Sequence, residues 1–420
     1  MSQRDVVVTG MGAVTPLGIG VAALWDGVRA GCSAVDWLSF ADELDADLFP
    51  VRFGAEVREF DVRQHLGKHC EVRSEKTIHM GLVAAQEALR QARLIDGQDE
   101  LRDPASVIST IVGSGHGTPE ATVRSCTAYN DRGIKGLRPS SVSKCMFNAV
   151  SCNISIYFGL RGANYTIASA CASGNTAIGA AYRDIKHGYA DIVLCGGTDT
   201  PFIRQYFGGW ASLRVLAKSE DPTLACKPFD QNRSGMAIGE GAGMLVLESR
   251  QSAQRRDVPM LAQLVGYGTS SDAHHVTAPQ QSGQVAAIRA CLDDSGVTPD
   301  EVDYINMHGT GTQANDETEA QAVHEVFGSR GATLPASSIK PIVGHSLGAI
   351  GGIEAIASIS AVMHAFAPPT INCQHPDPDI GLDYVPQEGR HHKIKLAMSN
   401  SFAFGGDNAC ILVKHSQPPA

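Results

Sequence analysis

The stretch Ile167–Ala181 reads IASACASGNTAIGAA and places a single cysteine, Cys171, within a run of alanine, serine and glycine. Residues Tyr165–Ser169 are typical of a strand, and the residues after Cys171 are typical of a closely packed helix. A strand that leads directly into a helix predicts a layered α/β protein with Cys171 at the helix N-terminus. Such a terminus offers free backbone N–H groups and partial positive charge.

Two interpretations of Cys171 are open. A helix N-terminus can stabilise a thiolate and lower the thiol pKa below its free value of about 8.5. The same N–H groups could bind the oxyanion that forms when a thiolate attacks an acyl group. Alternatively, Cys171 is an inert packing residue, which composition alone favours because free cysteines are commonly buried.

The strand-then-helix pattern occurs a second time, at Pro341–Ser358 (PIVGHSLGAIGGIEAIAS). Other apolar strand-like runs also repeat: Val6–Thr9 is matched by Leu261–Val265, and Val107–Val112 by Val302–Met307. We therefore predict two similar βαβ-rich halves, residues 1–255 and 256–420. The charged stretch Glu248–Asp257 is the predicted connection between them.

Composition limits the class of protein. The chain has 420 residues, 43% of them apolar, and a net charge of −10, which argues against a nucleic-acid binder. No secretory signal is recognisable, and the most apolar helix-like segment, Leu347–Met363, contains Glu354 and predicts a buried core helix rather than a membrane span. The 11 cysteines are scattered without a CxxC pair, which predicts a cytoplasmic protein without disulfides or a zinc site.

Two histidines follow apolar runs and precede glycine or serine. His308 lies in INMHGTGT and His345 in KPIVGHSLG, and each is a candidate proton donor or acceptor. A histidine satisfied structurally at a strand end is the alternative in both cases. Lys340 and Glu354 flank His345 in the sequence, and spacing alone does not distinguish a functional pair from an ordinary ion pair.

A competing motif overlaps this segment. Gly344–Gly348 fits G-x-S-x-G, the nucleophile elbow of α/β-hydrolases, with Ser346 as nucleophile. Downstream partners in the required order would be Asp377, Asp379 or Asp383, followed by His391 or His392. The motif arises easily in glycine-rich chains and leaves Cys171 and His308 without a role, so we rank it lower.

Near the C-terminus, Asn400–Ala409 reads NSFAFGGDNA. Phe402 and Phe404 flank one small residue and precede two glycines, which suggests a movable aromatic lid over an apolar tunnel. A β-turn with two core aromatics is the alternative.

Taken together, these segments resemble the elongating β-ketoacyl-acyl carrier protein synthases, the ketosynthases of the thiolase-like superfamily. The resemblance covers nearly the whole chain. Its landmarks are VVVTGMGAVTPLG, GLRGANYTIASACASG, KPFDQNRSGMAIGEGAG, SSDAHHVTAP, HGTGT, KPIVGHSLGA and NSFAFGGDNA, in the order of the family. The resemblance implies a duplicated five-layered α/β/α/β/α sandwich and decarboxylative condensation of carrier-bound thioesters.

The resemblance also implies residue roles. Cys171 matches the nucleophile that accepts the acyl chain, and His308 and His345 match the two histidines that bind and decarboxylate the malonyl thioester. Lys340 and Glu354 match the pair that orders the site. Two histidines, rather than histidine and asparagine, are typical of the elongating branch.

Further roles concern substrate binding. Phe404 resembles the gating phenylalanine, and its backbone N–H with that of Cys171 resembles the oxyanion hole. Thr310 and Thr312 match hydroxyls that bind the pantetheine arm, and Asp272, His275 and Thr277 lie in the second mobile loop. The other expected substrate-binding residues are Phe402 of the lid and His116, at a position that lines the acyl tunnel.

The implied partner is an acyl carrier protein, which supplies the phosphopantetheine arm; no metal or organic cofactor is implied. Expected docking residues are Arg73, Lys76, Lys135, Arg138 and Arg214, although each could be ordinary surface charge. Ser140–Asn148 resembles the segment that crosses a dimer interface. We therefore expect a homodimer, or a heterodimer with a chain-length-factor-like subunit.

The sequence departs from the family at several positions. Ala403 replaces a usual glycine between the phenylalanines, Asp407 a usual threonine, and Ser234–Met236 the usual Asp-Gly-Phe. His116 is polar where the family commonly has glycine or an aliphatic residue, which suggests an unusual chain such as a polyene or another specialised polyketide. A catalytically silent chain-length-factor subunit is the alternative, but such subunits typically lack the nucleophile.

Overall fold

The computed structural model describes residues 4–45, 47–66 and 75–416. Its strands are β1 (Val6–Thr15), β2 (Gly18–Ile19), β3 (Asp36–Trp37), β4 (Phe53–Gly54), β5 (Ile108–Gly113), β6 (Asn164–Ile167), β7 (Ile192–Asp199), β8 (Gly241–Ser249), β9 (Ala262–Ser271), β10 (Tyr304–Asn306), β11 (Ala336–Ser337), β12 (Phe366–Ala367), β13 (Arg390–His391), β14 (Leu396–Phe402) and β15 (Asp407–His415). Its helices are α1 (Val21–Ala30), α2 (Val62–Leu66), α3 (Lys76–Gln91), α4 (Pro119–Arg132), α5 (Ser141–Cys145), α6 (Ala149–Phe158), α7 (Ser173–Lys186), α8 (Arg204–Ser212), α9 (Arg250–Arg255), α10 (Gln281–Ser295), α11 (Gln313–Phe327), α12 (Lys340–Val343) and α13 (Ile350–His364).

Two five-stranded sheets share one topology. In the first, the spatial order is β1-β8-β7-β5-β6; in the second it is β9-β15-β14-β10-β11. In each sheet four of the five strands run in the same direction, while β8 or β15 runs antiparallel to both of its neighbours. The sheets meet where Val6–Val8 of β1 pairs antiparallel with β9. The predicted duplication is confirmed.

Three apolar cores separate five layers. Val193 and Cys195 of β7 face the central core around α7 and α13, whereas Ile192 and Leu194 face the outer core with α3 and α6. A third core packs α10 and α11 on the outer face of the second sheet. Strands buried on both faces are nearly continuous apolar runs, which is why the sequence signalled them clearly. The α/β/α/β/α sandwich predicted from the family resemblance is confirmed.

Glycines let the central layers approach closely. A Cβ atom on Gly351 of α13 would lie 2.4 Å from the backbone nitrogen of Asn175 in α7. A Cβ on Gly243 of β8 would lie 2.4 Å from the carbonyl carbon of Gly352. Larger residues at these positions would force the helices and the sheet apart.

One sequence interpretation is wrong in detail. The residues Pro341–Val343, interpreted as the strand matching Tyr165–Ser169, belong to helix α12. The matching strand is the short β11, a few residues earlier, which lies parallel to β10. The strand signal was misleading because β-branched residues also occur in a fully buried helical turn.

Within the described residues, one helical segment, Leu347–His364, is long and apolar enough by composition to cross a membrane. Most of this segment is buried between the two sheets, as the sequence predicted. Helix α9 and the loop before β9 connect the strands of the first sheet to those of the second.

Candidate active site

The N-terminal end of α7 and the segment before α13 meet at the centre of the molecule. Cys171 lies in a short 3₁₀ turn, Ala170–Ala172, between β6 and α7. Its sulfur is 3.1 Å from Nε2 of His345, a residue 174 positions later in the chain. Both side chains are buried, and both line one pocket. The two residues that the sequence singled out separately therefore form one contact.

The pKa of the Cys171 thiol differs from the value that a helix N-terminus led us to expect. Burial raises its pKa to about 12, and the nearby Lys340 ammonium and the backbone N–H groups of Phe404 and Cys171 act in the opposite direction. The helix N-terminus does not outweigh desolvation, so the expectation of a lowered pKa is wrong for the resting protein. The two N–H groups predicted to form an oxyanion hole do converge on this sulfur.

His308 stands next to His345 at the same end of the pocket. Their ring centroids are 5.3 Å apart and the rings are nearly perpendicular. The backbone N–H of His308 donates to Oε1 of Glu319 at 2.7 Å, and that of Gly309 donates to Oε2 at 2.8 Å. Glu319 is fully buried on α11, so it fixes the start of the HGTGT loop.

A second carboxylate on α11 holds the rest of that loop. Oδ1 of Asp316 accepts the backbone N–H groups of Thr310 at 3.1 Å and Gly311 at 3.2 Å. Burial raises the pKa of Asp316 to about 6 and that of Glu319 to about 7. Sequence reasoning missed both acids, although two acids three residues apart after a glycine-rich loop were a usable signal.

Both histidines are held neutral. Burial, together with the positive charge of Lys340, lowers the pKa of His308 and of His345 well below the usual value; for His308, His345 contributes as well. A neutral imidazole can donate one hydrogen bond and accept another, which suits it to both proton transfer and enolate stabilisation.

Lys340 and Glu354 form a fully buried ion pair. Nζ of Lys340 is 2.6 Å from Oε1 of Glu354, and neither side chain has exposed surface. Burial raises the pKa of Glu354 to about 7, and the Lys340 ammonium opposes that shift. Because desolvating two charges is costly, the pair is a poor device for stabilising the fold. Its effect on the pKa of both histidines is a better explanation for its presence.

Threonine hydroxyls lie on the wall of the pocket. Oγ1 of Thr310 and Oγ1 of Thr312 are 2.9 Å apart, and Thr312 caps α11 by accepting the backbone N–H of Asn315. Both threonines line the pocket together with Cys171. They could hydrogen-bond an extended polar ligand that enters here.

Two loops cover the pocket and contact each other. Phe402 ends β14, and Phe404 begins the turn that follows. The backbone N–H of Gly405, which has a positive φ of 86°, donates to the carbonyl of Val276 at 2.7 Å. Ala403 has ordinary extended dihedrals, so a glycine is not required at its position.

The second loop carries the three predicted residues, and all three line the pocket: Asp272, His275 and Thr277. Nδ1 of His275 accepts the backbone N–H groups of Thr277 at 3.1 Å and Ala278 at 3.2 Å, which shapes the loop. Oδ1 of Asp272 accepts from Nδ2 of Asn408 at 2.7 Å, which ties this loop to β15.

The hydrolase interpretation is wrong. Ser346 is fully buried, its hydroxyl has no partner among the described residues, and its φ of −84° is ordinary. The residues before it form α12 rather than a strand, so no strand–nucleophile–helix elbow exists here. Of the proposed partners, Asp377 pairs with Arg233, and Asp383 pairs with Arg390.

His116 lies apart from this pocket. Its Nδ1 is 3.5 Å from Oδ2 of Asp199, and its ring contacts Tyr206 and Trp210. With Trp210 it lines a second, more open pocket. Sequence reasoning missed Asp199 and Trp210, because neither stands in a segment with a chemical pattern of its own.

The predicted docking residues divide into three groups. Arg73 lies outside the described residues. The Lys76 ammonium is engaged internally, 2.5 Å from Oε1 of the buried Glu240 and 3.0 Å from the carbonyl of Val57, which argues against a docking role for Lys76. The rest are exposed and form no ion pair within the described part of the chain: Lys135, Arg138 and Arg214.

A duplicated five-layered sandwich with a buried cysteine and two histidines at its centre defines a thiolase-type condensing enzyme. The family model "Beta-ketoacyl synthase, N-terminal domain" matches residues 3–253, and "Beta-ketoacyl synthase, C-terminal domain" matches residues 261–374. The chain belongs to the beta-ketoacyl synthase family.

Individual relatives agree with this assignment. The chain is 38% identical over 420 residues to 3-oxoacyl-[acyl-carrier-protein] synthase 2 of Synechocystis sp., covering 99% of both proteins. The solved ishigamide ketosynthase/chain length factor matches with a TM-score of 0.90 at 32% identity, over 99% of this chain and 100% of that chain. A type II polyketide ketosynthase in complex with its acyl-carrier protein matches with a TM-score of 0.88 at 28% identity, over 99% of this chain and 100% of that chain.

Proposed function

We propose that this protein is an acyltransferase that condenses malonyl-acyl carrier protein with an acyl chain held on Cys171. The product is a β-ketoacyl-acyl carrier protein, two carbons longer than the acyl chain. The observation that carries the proposal is the 3.1 Å contact between the Cys171 sulfur and Nε2 of His345, with His308 adjacent. The same arrangement disfavours a catalytically silent subunit, which would not need these three residues together.

The first half-reaction is acyl transfer. The Cys171 sulfur attacks the thioester carbonyl, and its proton passes to Nε2 of His345. The backbone N–H groups of Cys171 and Phe404 stabilise the oxyanion. The carbon–sulfur bond to pantetheine then breaks, and the pantetheine thiolate takes up the proton as it leaves. Because the resting thiol has a pKa of about 12, attack and proton transfer are coupled.

The second half-reaction is decarboxylation and condensation. Loss of CO2 from the malonyl group leaves an enolate, whose oxygen accepts hydrogen bonds from the neutral His308 and His345. The enolate carbon attacks the acyl carbonyl on Cys171, a carbon–carbon bond forms and the carbon–sulfur bond to Cys171 breaks. The Cys171 thiolate then takes up one proton from solvent as the site reopens. The lid with Phe404 keeps water from the reacting thioester.

The proposal needs no metal or organic cofactor, since the carrier protein brings its own phosphopantetheine arm. Thr310 and Thr312 line the pocket, and in this proposal their hydroxyls hydrogen-bond that arm. Arg214 is exposed beside Val215, a residue that lines the pocket, and is therefore the favoured docking residue for an acidic carrier. Lys135 and Arg138 are also exposed and are further candidate docking residues.

We further propose that the protein functions as a dimer, either of identical chains or with a chain-length-factor-like subunit. Within the described residues, strand β6 pairs with β5 alone and forms an edge of the sheet. Large apolar side chains around α4–α6 are exposed, including Ile134, Val142, Phe147 and Ile156. A monomer rarely exposes so many apolar side chains on neighbouring elements.

The reaction is expected in the cytoplasm, because the cysteines of the described residues are all free thiols, as a reducing compartment maintains them. The products would feed either fatty-acid or specialised polyketide synthesis.

Intact-protein mass spectrometry after incubation with an acyl carrier protein tests the proposal. We expect the mass of one acyl group on the wild type and on Ser346→Ala, and none on Cys171→Ala. Label that persists in Cys171→Ala but disappears in Ser346→Ala would overturn the proposal.

A further inference from the structure

Four rings lie in a continuous line behind the lid: Phe404, Trp210, His116 and Tyr206. We call this line the ring slot. Phe404 and Trp210 are stacked with centroids 6.0 Å apart and planes at 18°. The His116 ring then meets Trp210 at 6.1 Å and Tyr206 at 5.5 Å, both edge-on. The ring slot connects the loop above Cys171 with the open second pocket.

His116 is fixed within the ring slot by a buried carboxylate. Asp199 is fully buried, and its Oδ2 accepts the backbone N–H groups of Gly115 at 2.8 Å and Gly348 at 3.0 Å, besides lying 3.5 Å from Nδ1 of His116. The Asp199 charge also contributes to the raised pKa of Cys171, so it lies near the nucleophile as well. Trp210 of the ring slot packs against the apolar cluster that contains Cys171, so the ring slot adjoins the nucleophile's surroundings, although His116 itself lines the second pocket.

The His116 imidazole is more easily protonated than an ordinary histidine. Burial alone would lower the pKa of His116, but the Asp199 carboxylate outweighs burial, so the pKa is raised. With Nδ1 directed to Asp199, Nε2 lies on the opposite side of the ring, and His116 lines the second pocket. A chain in the ring slot would meet a polar ring nitrogen, which presents an N–H donor when the imidazole is protonated.

The free energy of placing an acyl chain against the His116 ring depends on whether the chain is saturated or conjugated. A saturated chain covers the donor without accepting its hydrogen bond, which costs about 1–3 kcal/mol. The electron-rich face of a conjugated chain can accept from an N–H group or a cation. Flat conjugated chains also stack on aromatic rings such as Trp210.

We propose that the ring slot is a specificity site that selects acyl chains with conjugated double bonds over saturated chains of equal length. The inference rests on the proposed function, because it presupposes acyl transfer to Cys171. It adds a substrate class and assigns His116 and Trp210 to chain selection.

The experiment measures the initial rate of Cys171 acylation from carriers loaded with 2,4-hexadienoyl or hexanoyl groups, alone and in competition. Wild-type protein should prefer the dienoyl group by about tenfold, the order expected from one satisfied donor and one stacked ring. His116→Leu should reduce this preference to about twofold or less, mainly by accelerating hexanoyl transfer. Trp210→Leu should reduce it mainly by slowing dienoyl transfer.

Controls separate the possible outcomes. His187→Leu changes an exposed histidine at the end of α7 and should keep the wild-type preference. Thermal unfolding of each variant reports whether the loss of a partner for Asp199 has disturbed the fold, and Trp210→Leu leaves that pair intact.

Acylation without a dienoyl preference in the wild type, or a stronger preference for a 3-oxo chain, would overturn the ring-slot proposal alone. Absence of acylation from every carrier would instead overturn the proposed function.

Discussion

The two halves place a reactive side chain at the same point of the same topology. In the first half, β6 leads through the turn with Cys171 into α7. In the second half, β11 leads through α12 and past His345 into α13. Because α7 and α13 pack at the centre of the sandwich, the two junctions face each other, and the sulfur and the imidazole come within 3.1 Å.

The junctions differ in their charge. The junction around Cys171 consists of small neutral residues and leaves a thiol whose pKa burial has raised. The junction around His345 contains an additional helical turn, and Lys340 at its start pairs with Glu354 of α13. The same frame thus supports a neutral nucleophile at one junction and, at the other, two histidines that burial and the Lys340 charge together keep neutral.

Breaking the charged junction should have the largest effect. Lys340→Met leaves Glu354 buried without its partner, and we expect a loss of about 3–5 kcal/mol in the free energy of unfolding, measured with denaturant. Adding Glu354→Gln should restore part of this loss. Lys186→Met is the matched control, since its partner Asp294 is 31% exposed and can be hydrated; equal losses in both variants would contradict the interpretation.

The neutral junction can be tested through the thiol itself. With a pKa of about 12, the thiolate fraction of Cys171 grows with pH throughout the accessible range. The rate of alkylation by iodoacetamide should therefore rise about tenfold per pH unit between pH 7 and 9, or about 100-fold in total. The readout is the mass of the Cys171 peptide. A free cysteine derivative should level off above about pH 8.5, and a plateau for Cys171 below pH 8 would contradict the burial argument.

The contact between the junctions depends on close helix packing. Gly351→Ala places a methyl group 2.4 Å from the backbone nitrogen of Asn175, so α7 and α13 must separate. We expect a loss of about 1–3 kcal/mol in stability, accompanied by slower acylation of Cys171. Gly97→Ala, whose added methyl group would have no neighbour within 4 Å, should change neither quantity. A tolerated Gly351→Ala would show that the packing is looser than the geometry implies.

The smallest effect is expected at the mouth of the pocket, where Arg214 adjoins Val215 and the second half contributes Thr310. Arg214→Glu should weaken carrier-protein binding several-fold at low salt and less at high salt, because exposed charges are screened. Binding can be followed by calorimetry across ionic strengths. Arg29→Glu, an exposed residue of α1 that does not line the pocket, is the control; unchanged affinity of Arg214→Glu at low salt would remove Arg214 from the docking surface.

Local patterns explain why much of the fold was predictable. The run Val6–Thr9 predicted β1, and Val107–Val112 predicted β5, because a strand buried on both faces must be apolar throughout. The strand prediction for Pro341–Val343 was wrong for the same reason, since a fully buried helical turn shows the same apolar run. Periodicity cannot distinguish the two over so few residues.

The candidate site was predictable only in part. Cys171, His308 and His345 stand beside glycine-rich, chemically distinctive neighbours and were therefore recognisable. Glu319 and Asp199 act on backbone N–H groups of other segments, and Asp199 reaches Gly348, which lies 149 positions away. Nothing next to either acid in the sequence reveals such a partner.

The sequence by itself determined which residues carry the chemistry and that two similar halves present them, because strand runs, turn glycines and reactive side chains are local features. Tertiary structure alone decided their state: that the Cys171 thiol is neutral, that Lys76 binds Glu240, and that His116 faces Asp199. The physical reason is that burial and charge pairing depend on which distant segments pack together. A thiol's pKa and a lysine's availability are properties of that packing and not of the neighbouring residues in the chain.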